Sequence, residues 1–322
     1  MKVNVISVYS KVPKLINSLQ SHLPSIKFKQ IVSTNDKDLR QPNVLIIDVP
    51  VLLPILNDIS NAKFIHITRA GVDQLINYVK QNGRLPCCPV VRYTGPIYAA
   101  LMAEYVIHRV VHYERDFERI RNNQQAKIWS LEGKVRAYRT VSDLKIGILG
   151  VGYLGFGIAK ILHSLGATIY AFRRSTGELP DIYTSVFHGK DQLPEFLRIC
   201  DYIVSVLPET EDTIGLLNNG VLEHCKDKNA VFISVGRGSI INEQELIRAL
   251  KNNWLQAAFL DVFPTEPLPK DSALWTTPNV TITPHVAAYN RAQDIAKAFK
   301  MNLELFQQRK PMIGLIDFEK GY

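Results

Sequence analysis

At 322 residues the chain exceeds what one hydrophobic core usually serves, so two domains are expected. Its 46% hydrophobic and 21% charged residues are ordinary for a globular protein, and no apolar run approaches the ~18 residues of a membrane span. The net charge of +8 invites a nucleic-acid reading, but the basic residues are scattered, with no run of five or more, and a diffuse field attracting small anions fits at least as well.

The chain opens on Met1-Lys2-Val3-Asn4-Val5-Ile6-Ser7-Val8, read as a strand that enters the fold at once. It lacks the longer apolar core and small-residue cleavage site of a signal peptide. Val3–Val8, Lys27–Val32, Val44–Asp48 and Phe64–Thr68 have the composition of strands, with Val12–Leu23 and Val72–Lys80 as intervening helices. Such alternation implies βαβ units and a parallel sheet. Cys87 and Cys88, being adjacent, do not readily bridge, and with Cys200 and Cys225 they show no metal-ligand spacing. Reduced, mostly buried thiols in a cytosolic protein are expected, with no metal. Ala99–Arg121 contains neither Gly nor Pro and reads as one long amphipathic helix; polar Asn122–Ser142 reads as a loop packing on a neighbour.

A second series follows. Lys145–Leu149, Thr168–Phe172, Asp201–Leu207, Ala230–Val235, Ala257–Val262 and Val280–Thr283 are near-continuous apolar runs, as strands buried on both faces should be. Leu154–Leu165 is a helix closed by Gly166, and Asn290–Arg309 a final long helix. The expected class is α/β, with two Rossmann-like or flavodoxin-like doubly wound parallel-sheet domains.

Between the first strand and helix of this series lies Gly150-Val151-Gly152-Tyr153-Leu154-Gly155, a glycine pattern suited to a dinucleotide's pyrophosphate. Gly150 makes the tight turn, Gly152 lets backbone approach the phosphates, and Gly155 lets the helix pack on the sheet. The helix N-terminus offers unpaired N–H groups and a positive dipole end. About 20 residues on, where an NAD site normally places an acid for the ribose 2′-OH, stand Arg173, Arg174 and Ser175. No acid appears before Glu178. Two guanidiniums and a hydroxyl suit a 2′-phosphate instead, so NADPH is the expected cofactor and NADH a weaker alternative.

Arg237 in Ser234-Val235-Gly236-Arg237-Gly238, Glu266 in Pro264-Thr265-Glu266-Pro267-Leu268, and His285 in Thr283-Pro284-His285 follow the glycines at gaps of roughly 80, 30 and 20 residues. Taken singly, Arg237 fits a loop salt bridge, Glu266 a solvated acid and His285 a core histidine. Together and in this order they point to a dehydrogenase of 2-keto or 2-hydroxy acids.

These stretches carry a resemblance. With Ala70-Gly71-Val72-Asp73, Ser234–Asn242, Leu260-Asp261-Val262-Phe263, Thr265–Pro269, Ala273-Leu274-Trp275, Thr283–Ala288 and the closing Gly321-Tyr322, the chain resembles the D-isomer-specific 2-hydroxyacid dehydrogenases over essentially its whole length. Within them it is most similar to the glyoxylate/hydroxypyruvate reductase A branch. The resemblance implies that His285 protonates the keto oxygen while Glu266 hydrogen-bonds it and favours its cationic form. It implies that Arg237 orients and polarises the substrate, that backbone N–H groups of Ala70 and Gly71 grip its carboxylate, and that Asp261 binds the nicotinamide carboxamide. Leu207, Pro208 and Thr213 would form the adenine-side wall, with Tyr153, Leu154 and Val235 as further cofactor contacts.

By the same resemblance, residues 1–98 with 288–322 form a discontinuous substrate-binding domain, and 99–287 the dinucleotide-binding domain, with hinges near Ala99 and Ala288. The partner is a small 2-keto acid, with neither nucleic acid nor membrane, and a homodimer is implied through Ala99–Arg121 and the loop after it. Four positions depart from the branch: Ser234 for Asn, Asn242 for Asp, Arg69 for Gly beside the carboxylate loop, and Ile47 where Trp can occur. A phosphoglycerate-type dehydrogenase is disfavoured by Arg173. A corepressor-type NAD sensor of the same fold shares the three polar residues, but Arg173 and the lack of an extended C-terminal tail argue against it.

Overall fold

The computed structural model of the protein describes residues 5–40 and 42–322. The chain divides into two compact units, one made of Met1–Tyr98 and Tyr289–Tyr322, the other of Ala99–Ala288.

The first unit contains β1 (Val5–Tyr9), α1 (Leu15–His22), β2 (Lys27–Gln30), α2 (Lys37–Arg40), β3 (Val44–Ile47), α3 (Val49–Leu52), β4 (Phe64–Ile67), α4 (Asp73–Asn82) and β5 (Val90–Arg92), and takes in the last helix, Ala292–Gln307. Of the strand expected over Val3–Val8, Val3 and Asn4 lie outside the described residues. The five strands are all parallel, in the order β2-β1-β3-β4-β5. This is the flavodoxin-like doubly wound order. Strands β3 and β4 are buried at every position, so their unbroken apolar runs are what a sheet covered on both faces requires. His66 is the exception inside β4: fully buried and edge-on to Phe299 at 5.4 Å between ring centroids. Burial pushes its imidazole down to about 4. Ile47 is also fully buried, and so contributes to this core.

The second unit is built around α5 (Pro96–Glu114), α6 (Phe117–Gln125), β6 (Lys145–Leu149), α7 (Tyr153–Ser164), β7 (Thr168–Arg173), β8 (Tyr183–His188), α8 (Gly189–Ile199), β9 (Tyr202–Ser205), β10 (Ala230–Ser234), α9 (Glu243–Lys251), β11 (Leu255–Leu260) and β12 (Val280–Ile282). Its seven strands are parallel in the order β12-β11-β10-β9-β6-β7-β8. This is a Rossmann order with one extra strand, and the winding reverses between β6 and β9. The expected α/β class of two doubly wound parallel sheets is therefore what the chain forms.

Three expectations are corrected. Ala99–Arg121 is not one helix: α5 starts at Pro96, whose fixed φ suits a first turn, and breaks before α6 at Asp116, which is left-handed at φ 52. Aspartate tolerates that region better than most residues, and its carboxylate pairs with Arg119 at 3.2 Å. The polar segment that follows is not all loop, since α6 runs to Gln125. It is tied down by Arg139, which donates to Glu114 at 2.7 and 3.2 Å and to Asp201 at 3.0 Å, while Tyr202 donates to the same Glu114 at 2.8 Å. Finally, Cys200 and Cys225 are buried, but Cys87 is exposed and Cys88 half-buried. Among the described residues no helix is long and apolar enough to cross a membrane.

Candidate active site

The glycine loop sits at the winding reversal. Gly150 leaves β6 at φ 96, a left-handed conformation open to glycine, and its N–H donates to the Phe172 carbonyl at 2.9 Å. A Cβ on Gly155 would run into the Gly150 carbonyl oxygen, so the start of α7 can lie against the loop only without a side chain there. Gly152, the N-cap of α7, is different: a Cβ there would meet no protein atom within 4 Å. The protein itself does not need that glycine. A bare stretch of backbone beside a helix N-terminus is what an incoming pyrophosphate needs, and the loop fits a dinucleotide on that ground. Tyr153 is half-exposed at the first turn of α7, and Leu154 is partly buried. Leu207, after β9, lies 3.0 Å from the position of a Cβ on Gly150. Thr213 turns inward and donates to the Pro208 carbonyl at 2.7 Å, holding residues 208–213 together. Val235 is buried, with its N–H on the Ser205 carbonyl at 3.0 Å.

Arg173 ends β7, with Arg174 and Ser175 exposed just beyond. Their posture was not legible in sequence. Arg173 folds over its own turn, its Nε donating to the Ser175 carbonyl and an Nη to the Gly177 carbonyl at 3.2 Å. Arg174 pairs with Asp212 at 2.9 Å, an acid from another loop that the sequence analysis missed. Both partners of that pair are about half exposed or more, so a stronger anion can displace it at small cost.

Arg237, Glu266 and His285 all follow C-terminal ends of parallel strands, β10, β11 and β12, where open α/β sheets bind ligands. Two of them are joined. Glu266 Oε2 lies 2.7 Å from His285 Nδ1, while Oε1 accepts the Phe263 N–H at 2.9 Å. A carboxylate only accepts, so Nδ1 carries the hydrogen and Nε2 faces away from Glu266. His285 is half exposed, as a proton donor to a ligand must be. Arg237 donates to the Gly236 carbonyl at 2.7 Å. Its flanking glycines have packing reasons. A Cβ on Gly236 would strike the Leu207 and Val206 backbone, and one on Gly238 the backbone of Phe263 and Pro264. The arginine loop is thus wedged between the β9 loop and the loop that carries Glu266.

Asp261 is 1% exposed and turns toward the His285 loop: Oδ1 accepts from the Thr283 hydroxyl at 2.6 Å and the Val286 N–H at 2.8 Å, and Oδ2 from the Ala287 N–H at 2.8 Å. In the other unit, Ala70 and Gly71 follow β4, partly exposed; the Ala70 carbonyl accepts from Arg92 at 3.3 Å, and Arg69 is exposed beside them.

Residues 107–287 match the family model for the NAD binding domain of D-isomer specific 2-hydroxyacid dehydrogenases. Glyoxylate/hydroxypyruvate reductase A of Escherichia fergusonii is 32% identical over 255 residues, 79% of this chain and 80% of that protein. A D-isomer specific 2-hydroxyacid dehydrogenase from Xanthobacter autotrophicus Py2, solved in complex with NADPH and MES, is 28% identical with a TM-score of 0.84, covering 100% of both chains. A family protein from Aeromonas salmonicida subsp. salmonicida A449 is 30% identical with a TM-score of 0.81, covering 98% of this chain and 100% of its own. A Rossmann sheet with a glycine loop at its reversal and a histidine–carboxylate pair at its strand ends defines a dinucleotide-dependent oxidoreductase. This chain belongs to the D-isomer-specific 2-hydroxyacid dehydrogenases, NAD(P)-dependent enzymes, and within them its likeness runs to the glyoxylate/hydroxypyruvate reductase A branch.

Proposed function

We propose that the protein reduces small 2-keto acids, glyoxylate and hydroxypyruvate foremost, to 2-hydroxy acids at the expense of NADPH, with His285 as proton donor. The observation that carries this reading is the 2.7 Å contact between His285 Nδ1 and Glu266. The carboxylate holds the imidazole by Nδ1, so Nε2–H is the proton delivered to the keto oxygen. Arg237 binds the substrate carboxylate and polarises the carbonyl, stabilising the charge that grows on oxygen. Backbone N–H groups of Ala70 and Gly71 take the carboxylate as well. Residues 1–98 with 288–322 serve as the substrate-binding domain. Gly150, Gly152, Tyr153, Leu154 and Gly155 hold the pyrophosphate, Arg173, Arg174 and Ser175 the 2′-phosphate, Leu207, Pro208 and Thr213 the adenine side, and Val235 and Asp261 the nicotinamide side. The bound nicotinamide supplies the hydride; the chain supplies orientation and the proton.

NADPH is supported by two arginines where an NAD site places an acid, and by the NADPH complex of the Xanthobacter relative. A charge-assisted bond contributes roughly 1.5–3 kcal/mol, so one net contact implies a preference of about ten- to a hundredfold. The test is kcat/KM with each cofactor against a panel of 2-keto acids. A value for NADH equal to or above that for NADPH would end the cofactor assignment, and no turnover of glyoxylate or hydroxypyruvate would end the substrate assignment. The reading includes a cytosolic location, in keeping with four unbridged cysteines, and a homodimer. Support for the dimer is the apolar exposure after α6, where Trp129 is 97% exposed beside exposed Ile128 and Leu131; gel filtration tests it.

A further inference from the structure

His285 occupies the left-handed region, φ 53, which few residues with a side chain adopt. Left-handed geometry at a residue with a side chain crowds Cβ against the following carbonyl oxygen and persists where the surroundings fix it. Here Asp261 is the chief anchor, beside a 3.0 Å contact of the His285 N–H with the Thr283 carbonyl. The N–H groups of His285, Val286 and Ala287 all converge on Asp261: the first on its backbone carbonyl at 2.9 Å, the others on its two carboxylate oxygens at 2.8 Å each. Successive N–H groups around a left-handed residue form a concavity suited to an anion, and the buried Asp261 carboxylate fills it.

A third donor reaches the same carboxylate. The Thr283 hydroxyl donates to Oδ1 at 2.6 Å, and since a carboxylate only accepts, the single hydroxyl hydrogen of Thr283 is committed there. The 2.7 Å contact between Tyr105 and Thr283 must then run the other way, with the phenol donating to Thr283 Oγ. Burial pushes the Tyr105 phenol up from its ordinary value, which keeps it a donor, and the Arg109 guanidinium lies 4.6 Å over its ring. Two sets of donors end on the Asp261 carboxylate: Tyr105 to Thr283 to Oδ1, and the N–H groups of Val286 and Ala287, just after His285.

We propose that Tyr105 and Thr283 are positioning residues for the proton transfer: through Asp261 they hold the His285 backbone in the left-handed turn that sets its imidazole against Glu266. This inference rests on His285 being the proton donor. Neither hydroxyl itself holds the cofactor in this account, but Asp261 also stands on its nicotinamide side, so their role is read in the chemical step at saturating NADPH. A misplacement of order 1 Å can cost ~10²-fold in rate, and loosening one anchor of several should cost about ten-fold.

The experiment compares Thr283→Val, Thr283→Ser, Tyr105→Phe, the Thr283→Val/Tyr105→Phe pair and His285→Ala as full chains, measuring single-turnover NADPH oxidation with glyoxylate and the KM for NADPH. Thr283→Val keeps the shape and loses the hydroxyl; it should slow the single-turnover step about ten-fold at saturating NADPH, and Thr283→Ser should restore the rate to within about two-fold. Tyr105→Phe should slow it less, and the double variant should be no slower than Thr283→Val, because the two hydroxyls act in series. Wild-type rates in both single variants, failure of Ser to rescue, losses that multiply in the double variant, or a loss that vanishes at saturating NADPH each overturn the inference. His285→Ala separates the two readings. If it is inactive while Thr283→Val is normal, only the positioning role fails; if it remains active, His285 is not the donor and both fail.

Discussion

The histidine itself is the sharpest single-residue test. His285→Ala should lower keto-acid reduction by ~10²–10⁴-fold, the usual contribution of a general acid, while leaving cofactor affinity largely intact. A variant that keeps more than about half the wild-type rate at saturating substrate would remove His285 from the mechanism. Arg237→Ala should raise KM and lower kcat together, because a cation on both the carboxylate and the developing alkoxide acts on binding and on the transition state. Lysine there should rescue poorly, a point charge being unable to copy the bidentate fork; full rescue would refute that geometry. At this scale the sequence carried identities but not postures. Arg237, Glu266 and His285 were legible because each lies in a short motif after an apolar run. The hold of Arg173 on its own turn, the Arg174–Asp212 pair and the Tyr105–Thr283 contact were not. Tyr105 lies 178 residues from Thr283, and no local pattern announces a partner at that distance.

Among the elements, the β6–α7 unit makes a paired prediction. Gly155→Ala forces a side chain against the Gly150 carbonyl and should destabilise the second unit by about 1–3 kcal/mol, as overpacking does. Gly152→Ala meets no protein atom within 4 Å at an ordinary φ of −72, so it should leave the melting temperature nearly unchanged and weaken NADPH binding. Thermal melts with and without NADPH read both. Equal destabilisation by the two would mean that Gly152 serves packing and not the cofactor. The β6–α7 unit was readable because glycines punctuate it and its strand is apolar and buried from Ile146 to Leu149. Other elements escaped for the opposite reason. β8 is a partly exposed edge strand of mixed composition, α9 is short and rich in charge, and β5 has only three residues. The break between α5 and α6 carries no Gly or Pro; a left-handed Asp116 ends the helix, and its partner Arg119 belongs to the next one.

Across the whole molecule, the two units should respond to acid in sequence. In the first, His66 is buried with its imidazole lowered to about 4, against 6.5 ordinarily. The unfolded chain therefore takes up a proton below about 6.5 that the folded unit refuses until about 4, and stability falls across that window, by about 2 kcal/mol at pH 5. In the second, burial alone would raise the Glu114 carboxyl, but hydrogen bonds from Arg139 and Tyr202 outweigh it and hold the group below its ordinary 4.5. Its contribution is present above that value and is lost only as pH falls through the lower folded one. His108 of the second unit is also held low, by burial and by Arg109 and His112, but it is exposed where His66 is fully buried, so the first unit should loosen more than the second as pH falls. All three tryptophans, Trp129, Trp254 and Trp275, lie in the second unit, so their emission follows that unit alone. Lowering pH from 7 to 5 should reduce the hydrogen-exchange protection of β4 while tryptophan emission holds steady. His66→Phe offers a ring of similar size beside Phe299 and has no proton to take up, so it should abolish the loss in β4. An unchanged acid response in that variant would show that some group other than His66 sets the stability of this sheet.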